Sequence, residues 1–172
     1  MLGDPTPRNS GRLTLNPLAH LDVLGTLLLI LAKFGWAKPV PVNPFYFRID
    51  RQKGMMLVAM AGPLMNLVIG YLSAIAIRFA GSSLYAYQFL EAMLVFNVYL
   101  AVFNLVPIPP LDGSRVLAGV VSRETANYIY QLEAYGPLLL LLLVATGIIT
   151  RVVGPLAGWV LNSILWLSGL GF

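Results

Sequence analysis

Two apolar runs restrict the medium in which this chain can fold. Met55 to Ile77 and Leu84 to Val106 are each long enough to cross hydrocarbon as a helix, which takes roughly 20 residues. Residues 79–90 between them carry no charge. Over the 172 residues, 58% are hydrophobic and 10% charged, where a soluble domain has about 25% charged. Mean hydropathy is +0.80. In lipid every backbone polar group must be satisfied internally. The expectation is an all-α integral membrane protein, a bundle of about four to five hydrophobic segments. Residues 1–172 are read as one membrane domain, with 134–172 as its C-terminal hydrophobic segments.

The second run ends abruptly at Asn104-Leu-Val-Pro-Ile-Pro-Pro-Leu-Asp-Gly113. Pro107, Pro109 and Pro110 remove backbone donors and forbid a continuing helix. Asp112 follows, and Gly113 permits a tight turn behind it. A carboxylate placed where a membrane helix breaks is costly and is a functional candidate by default.

Other segments are less sharply specified. Residues 1–17 are polar and rich in turn formers, with Arg12 to Leu15 alternating as a short strand would. The N-terminus lacks the charged-then-apolar pattern of a signal peptide. Leu18 to Leu31 carries His20 and Asp22 and falls short of a full crossing, so a re-entrant helix and a crossing both stay open. From Trp36 to Pro44 the prolines exclude helix, which leaves an extended edge strand or an interfacial strap. Trp36, Phe45, Tyr46 and Phe47 would anchor it at headgroup level.

Along Met55–Ile77, Gly62, Asn66, Gly70 and Ser73 share one helical face, as close packing in lipid requires. Pro63 would loosen that helix locally. A packing face with an ordinary kink accounts for most of this pattern without a catalytic role for Asn66. Asn97 and Asn104 also share a face, which should turn toward protein. Two last apolar segments, Pro137–Ile149 and Gly154–Leu170, are separated by Arg151 and Gly154-Pro155. They read as a hairpin of short helices or one kinked element.

The chain has no cysteine, hence no disulfide and no thiolate metal site, and a single histidine. Its net charge of +4 comes from cations lying between apolar spans, the pattern of cytoplasmic loops rather than of nucleic-acid binding. Lys33, Lys38, Arg48, Arg51 and Lys53 fall in one loop, which places 33–53, with its strap, on the cytoplasmic side. The next span then runs outward, the following one returns, and Asp112 lies toward the cytoplasmic face.

Asn104-x-x-Pro-x-Pro-x-Leu-Asp-Gly113 taken with Ala61-Gly-Pro-x-x-Asn66 resembles the site-2 protease family of intramembrane zinc metalloproteases. Similarity to its short prokaryotic members, without PDZ or CBS domains, extends to Gly-Asp-Pro-Thr-Pro-Arg at 3–8, Leu-Thr-Leu-Asn-Pro-x-x-His-x-Asp at 13–22 and Gly-Trp-Ala-Lys-Pro-Val-Pro-Val-Asn-Pro at 35–44. Val23 stands where relatives usually carry proline. The resemblance implies hydrolysis of peptide bonds in transmembrane substrates at one zinc ion. In the family that ion is bound by two histidines of a His-Glu-x-x-His helix and by the motif Asp, with the Glu as general base. Three protein ligands leave the fourth position for water, whose pKa zinc lowers toward neutrality.

Carried over, Asp112 becomes the third zinc ligand. Asn104 and Asn66, with Gly62, Pro63, Pro107, Pro109 and Gly113, become site-supporting or substrate-facing residues. The implied setting is a prokaryotic inner membrane, and the partners are the bilayer and a transmembrane protein substrate, with a homo-oligomer also open.

One departure stands out. Residues 1–172 contain no His-Glu-x-x-His. In relatives that helix lies just upstream of the stretch that here begins at Gly3, so the chain reads as a member cut behind its first catalytic helix. The expectation is no zinc and no proteolysis from this polypeptide alone. His20 and Asp22 are weak substitutes, because two positions apart they diverge by about 200° on a helix and share a face only if extended. Two other readings stay open. One is a catalytically dead protein that holds membrane helices. The other is a small channel or transporter subunit using Asp112 and Glu91, against which the absence of an internal repeat counts.

Overall fold

A computed structural model describes residues 2–32, 35 and 37–170. Lys33, Phe34 and Trp36 of the basic loop, and with them part of its expected aromatic anchor, lie outside the described residues. Eight α-helices occur among the described residues: α1 Thr6–Asn9, α2 Val23–Ala32, α3 Arg51–Ile77, α4 Leu84–Asn104, α5 Asp112–Val120, α6 Arg123–Leu132, α7 Gly136–Ala145 and α8 Ile148–Leu167. Short 3-10 turns occupy Pro17–His20, Pro44–Tyr46 and Glu133–Tyr135. The architecture is all-α. Among the described residues strand pairing is limited to one isolated bridge, Leu21 with Ala37. Among the described residues three stretches are long and apolar enough to cross a membrane: Arg51–Ile77, Leu84–Asn104 and Arg123–Ala145.

The chain divides into two compact units, 1–54 and 55–172. In the first, polar side chains hold irregular backbone. The Asp4 carboxylate accepts from the Thr6 and Asn43 amides at 2.9 and 2.8 Å. Arg12 is buried, and its guanidinium donates to the Ala19 carbonyl and, at 2.9 Å, to that of Pro39. That inward turn explains why the short strand expected at Arg12–Leu15 does not form. The Arg12 amide closes the turn after α1 by donating to Pro7, and its side chain leaves the surface to fasten the proline strap. Among the described residues 37–44 of the strap, backbone pairing with other segments is limited to the Leu21–Ala37 bridge and the Lys38 amide on the His20 carbonyl. A Cβ at Gly54 would collide with the Phe47 ring, and Arg51 stacks 4.1 Å from the centroid of Phe45.

In the second unit α3, α4 and α8 share a core of Ala74, Leu94, Val98, Val102, Val153, Ala157 and Ile164. Gly70 lets α3 approach α4: a Cβ there would lie 3.3 Å from Val98 Cγ2 and 3.6 Å from the Leu94 carbonyl. Small residues serve helix contact in this way where water is absent as a driving force. Ser83 caps α4 and Ser122 caps α6, each hydroxyl accepting an amide in the first turn. At the other end of α3, Arg78 donates to the Ser168 carbonyl at 3.1 Å.

The C-terminal region differs from the expected pattern. The polar stretch 114–133 forms α5 and α6, and α6 runs through a 3-10 turn into α7 as one membrane-length stretch. The final break falls at Gly147, not at Gly154-Pro155. Gly147 takes the left-handed conformation (φ 67°) that ends helices, and Pro155 sits inside α8. Proline inside a membrane helix is tolerated where neighbours satisfy the freed backbone. Pro63 inside α3 is the same case.

Candidate metal centre

The candidate site is assembled around the end of α4. Helical bonding stops at the Leu105 and Val106 amides, which bond Ala101 and Phe103. Two tight turns follow, Ile108 N–H to Val106 at 2.8 Å and Leu111 N–H to Ile108 at 3.0 Å. The prolines occupy positions whose missing N–H costs nothing there. Pro109 and Leu111 are buried, and the Pro109–Pro110 peptide is cis.

Leu111 then caps α5, so Asp112 opens that helix at its positive end. Gly113 packs so closely that a Cβ would collide with the Leu105 carbonyl and lie 2.5 Å from the Val106 oxygen. Ser114, fully buried, donates its hydroxyl back to Leu111 at 2.7 Å. On the far side, a Cβ at Gly136 would meet Pro110 at 2.8 Å. The carboxylate therefore stands on backbone held from several directions.

Asp112 is half-buried. Desolvation pushes its pKa above the usual carboxylate value; Arg115 opposes that shift and Glu133 adds to it. Arg115 is itself committed to Glu133, Nε to Oε1 at 2.8 Å and Nη2 to Oε2 at 3.1 Å, a two-pronged pair tying α5 to the turn before α7. That pair raises the Arg115 pKa further. A salt bridge between residues 18 apart leaves no local signal in the sequence.

Across from Asp112 lies α3. A Cβ at Gly62 would stand 3.6 Å from Asp112 Oδ2, with nothing else beyond its own helix within 4 Å. Gly62 is exposed while Pro63 is fully buried. The helix thus presents an open notch to the carboxylate and turns its proline inward. Asn66, one turn along, and Asn104, at the end of α4, are half-buried, and neither side-chain amide has a hydrogen-bond partner among the described residues. Asn97 instead donates to Met93 on its own helix. Pro107 is exposed.

His20 and Asp22 belong to the first unit and have other partners. The His20 ring nitrogen lies 2.9 Å from the Thr14 carbonyl, and Asp22 accepts the Gly25 amide at 2.8 Å at the start of α2. Among the described residues no group of three His, Cys, Asp or Glu side chains is placed to hold a metal ion. Catalytic zinc takes three protein ligands. Asp112 fits the role of one such ligand, but the donor set among the described residues does not make up such a site.

Comparison with known proteins agrees with the geometry. Residues 80–145, which include α4, the proline turns, Asp112 and α5, match the model of Peptidase family M50. The chain is 38% identical over 174 positions to "Putative zinc metalloprotease YwhC" of Bacillus subtilis, covering 96% of this chain and 79% of that protein. It is 28% identical to the Mycolicibacterium smegmatis protein of the same description, Rip2, covering 91% of this chain and 62% of that one. A 73-residue stretch, 42% of this chain and 22% of the relative, is 32% identical to "Zinc metalloprotease MJ0392" of Methanocaldococcus jannaschii. No solved structure matches. With its membrane-length helices and its Leu-Asp-Gly turn set against a notched helix, the chain belongs to peptidase family M50, the site-2 proteases.

Proposed function

We propose that residues 1–172 form the part of a site-2-protease-like zinc metallopeptidase that contributes one metal ligand, Asp112, and the surrounding substrate groove. The observation that carries this reading is the placement of Asp112 at the first position of α5, facing the open notch at Gly62. The groove suits a peptide backbone. Asn66, one turn from Gly62 on α3, and Asn104, at the end of α4, have side-chain amides without a partner among the described residues, and an unwound substrate segment needs donors and acceptors at membrane depth. The substrate class is a transmembrane helix of another protein. The five cations of residues 33–53 favour the cytoplasmic side for that loop, which supports a setting in a prokaryotic inner membrane with Asp112 toward the cytoplasmic face.

When bound, zinc would polarise the scissile carbonyl and activate water. The residues present hold the carboxylate ligand and line the groove. They supply neither a His-Glu-x-x-His pair nor its general base. This polypeptide alone is therefore without peptidase activity. A second reading, a protein that holds membrane helices without cutting them, draws on the same notch and the same incomplete donor set.

Zinc content of the purified chain tests the assignment. The expected result is well below one zinc per chain. A fusion carrying a His-Glu-x-x-His helix ahead of residue 1, where the family has it, should approach one and lose that metal on Asp112→Ala. Stoichiometric zinc on the unfused chain, abolished by Asp112→Ala, would overturn the inactive reading. A fusion whose zinc is indifferent to Asp112→Ala would overturn the ligand role.

A further inference from the structure

At the end of α4 away from Asp112 lies a cavity of about 1110 Å³ between the start of α4 and the end of α8. Two helical faces wall it, with Ile77 at the end of α3 beside them. From α4 come Tyr87, Glu91 and Leu94, and from α8 come Trp159, Asn162 and Trp166. Each set follows the three-and-four spacing that lines up one side of a helix. Trp159 and Trp166 stand two turns apart, with Asn162 between them.

The cavity is largely apolar, yet it contains a carboxylate. Glu91 lies two turns inside α4 from Leu84, about 10 Å along the axis. It has neither a hydrogen bond nor an ion pair among the described residues, and the Asn162 amide is likewise unpartnered. The Arg115–Glu133 ion pair lies elsewhere, between α5 and the turn before α7. An isolated carboxylate within a membrane-length helix is costly unless a cation meets it. Trp159 and Trp166 are 71% and 73% exposed, so their indole faces are open to a ligand. Aromatic faces attract cations, ammonium groups among them, and indole attracts them most strongly.

The geometry points to a binding site for the head group of an aminophospholipid of the phosphatidylethanolamine type. Its ammonium sits against Glu91 and the two indole faces. The Asn162 amide donates toward its phosphate ester, and the apolar wall around Leu94 takes the start of an acyl chain. The carboxylate selects for N–H donors, which ethanolamine has and choline lacks. It selects against phosphatidylglycerol, which is anionic. This site is separate from the Asp112 groove and does not depend on the peptidase reading.

Native mass spectrometry of the detergent-purified chain, incubated with an equimolar mixture of phosphatidylethanolamine, phosphatidylcholine and phosphatidylglycerol of identical acyl chains, tests it. The expected result is retention of phosphatidylethanolamine over each of the others by about tenfold, the effect of one favourable cation–π or charge-assisted contact. Glu91→Gln should abolish that preference at unchanged helical content. Trp159→Leu, at a position 71% exposed, should weaken the preference over phosphatidylglycerol by removing one indole face, and serves as an independent variant if Glu91→Gln folds poorly. Equal retention of the three lipids, preference for phosphatidylglycerol, or an unchanged preference in both variants would overturn the proposal. So would displacement of the lipid by a lysine-bearing transmembrane peptide in a Glu91-dependent way, since the cavity would then belong to a protein helix.

Discussion

Gly113→Ala is the smallest change that should disturb the motif, and its cost follows from the structure. The new methyl would collide with the Leu105 carbonyl and stand 2.5 Å from the Val106 oxygen, whereas ordinary contact begins near 3.4 Å. The turn and α5 must therefore part by about 0.9 Å toward Val106, and by more toward Leu105. Both obstacles are backbone, pinned by the hydrogen bonds of Leu105, Val106 and Ile108, and cannot rotate away. Overpacking of this kind costs about 1–3 kcal/mol, and the rigid neighbours place it at the upper end. For a chain of this size that lowers the thermal midpoint by roughly 5–10 °C.

The control is Gly154→Ala, in α8 with nothing within 4 Å of the added methyl. There alanine should gain up to about 1 kcal/mol from helix propensity. Thermal challenge followed by size-exclusion chromatography of the detergent-purified variants reads both. A Gly113→Ala protein as stable as the parent, alongside a Gly154→Ala protein that behaves as stated, would refute the close approach.

Two further outcomes are expected. Arg115→Ala and Glu133→Ala should each weaken the second unit by about 1 kcal/mol, because the pair is two-pronged but partly exposed, at 37% and 25%. A double-mutant cycle should return a coupling of roughly 0.5–1 kcal/mol, and a coupling near zero would assign the pair no role in holding α5. In the first unit, desolvation alone would raise the Asp4 pKa, but its hydrogen bonds to Thr6 and Asn43 outweigh that and hold it below the ordinary value of 3.8. The stabilisation is then present above 3.8 and disappears as pH falls through the lower folded value. Hydrogen exchange at the Asn43 amide should accelerate over that acidic interval beyond its intrinsic pH trend, and Asp4→Asn should remove the effect. Identical profiles in parent and variant would contradict the assignment.

Much of this was legible because lipid leaves a chain few options. Spans α3 and α4 were visible in length and apolarity alone, and the prolines located the end of α4 to within a few residues. Asp112 stood out as a carboxylate where none is cheap. What escaped was non-local. The Arg115–Glu133 pair and the contact of Gly136 with Pro110 join residues that nothing nearby in the sequence marks as neighbours. Local rules also misplaced the last break. Pro155 and Arg151 looked like a boundary, yet α8 runs through both, and the helix break falls at Gly147, which is free to adopt positive φ.

The small-residue face of α3 shows how one pattern can carry two jobs. Periodicity treats Gly62, Asn66, Gly70 and Ser73 as a single packing stripe. In the structure the stripe changes character along its length. Gly70 and Ser73 are buried, and Gly70 is where α3 closes on Val98 of α4. Gly62, two turns earlier, is exposed and looks onto Asp112. Smallness at one end brings helices together, and at the other it keeps space open beside a carboxylate. Pro63 fits between these roles: it removes one α3 hydrogen bond next to the notch and is itself fully buried, so the loosened backbone lies against protein rather than lipid. A larger residue at Gly70 would push α3 and α4 apart. A larger residue at Gly62 would leave the helices in place and fill the space in front of Asp112.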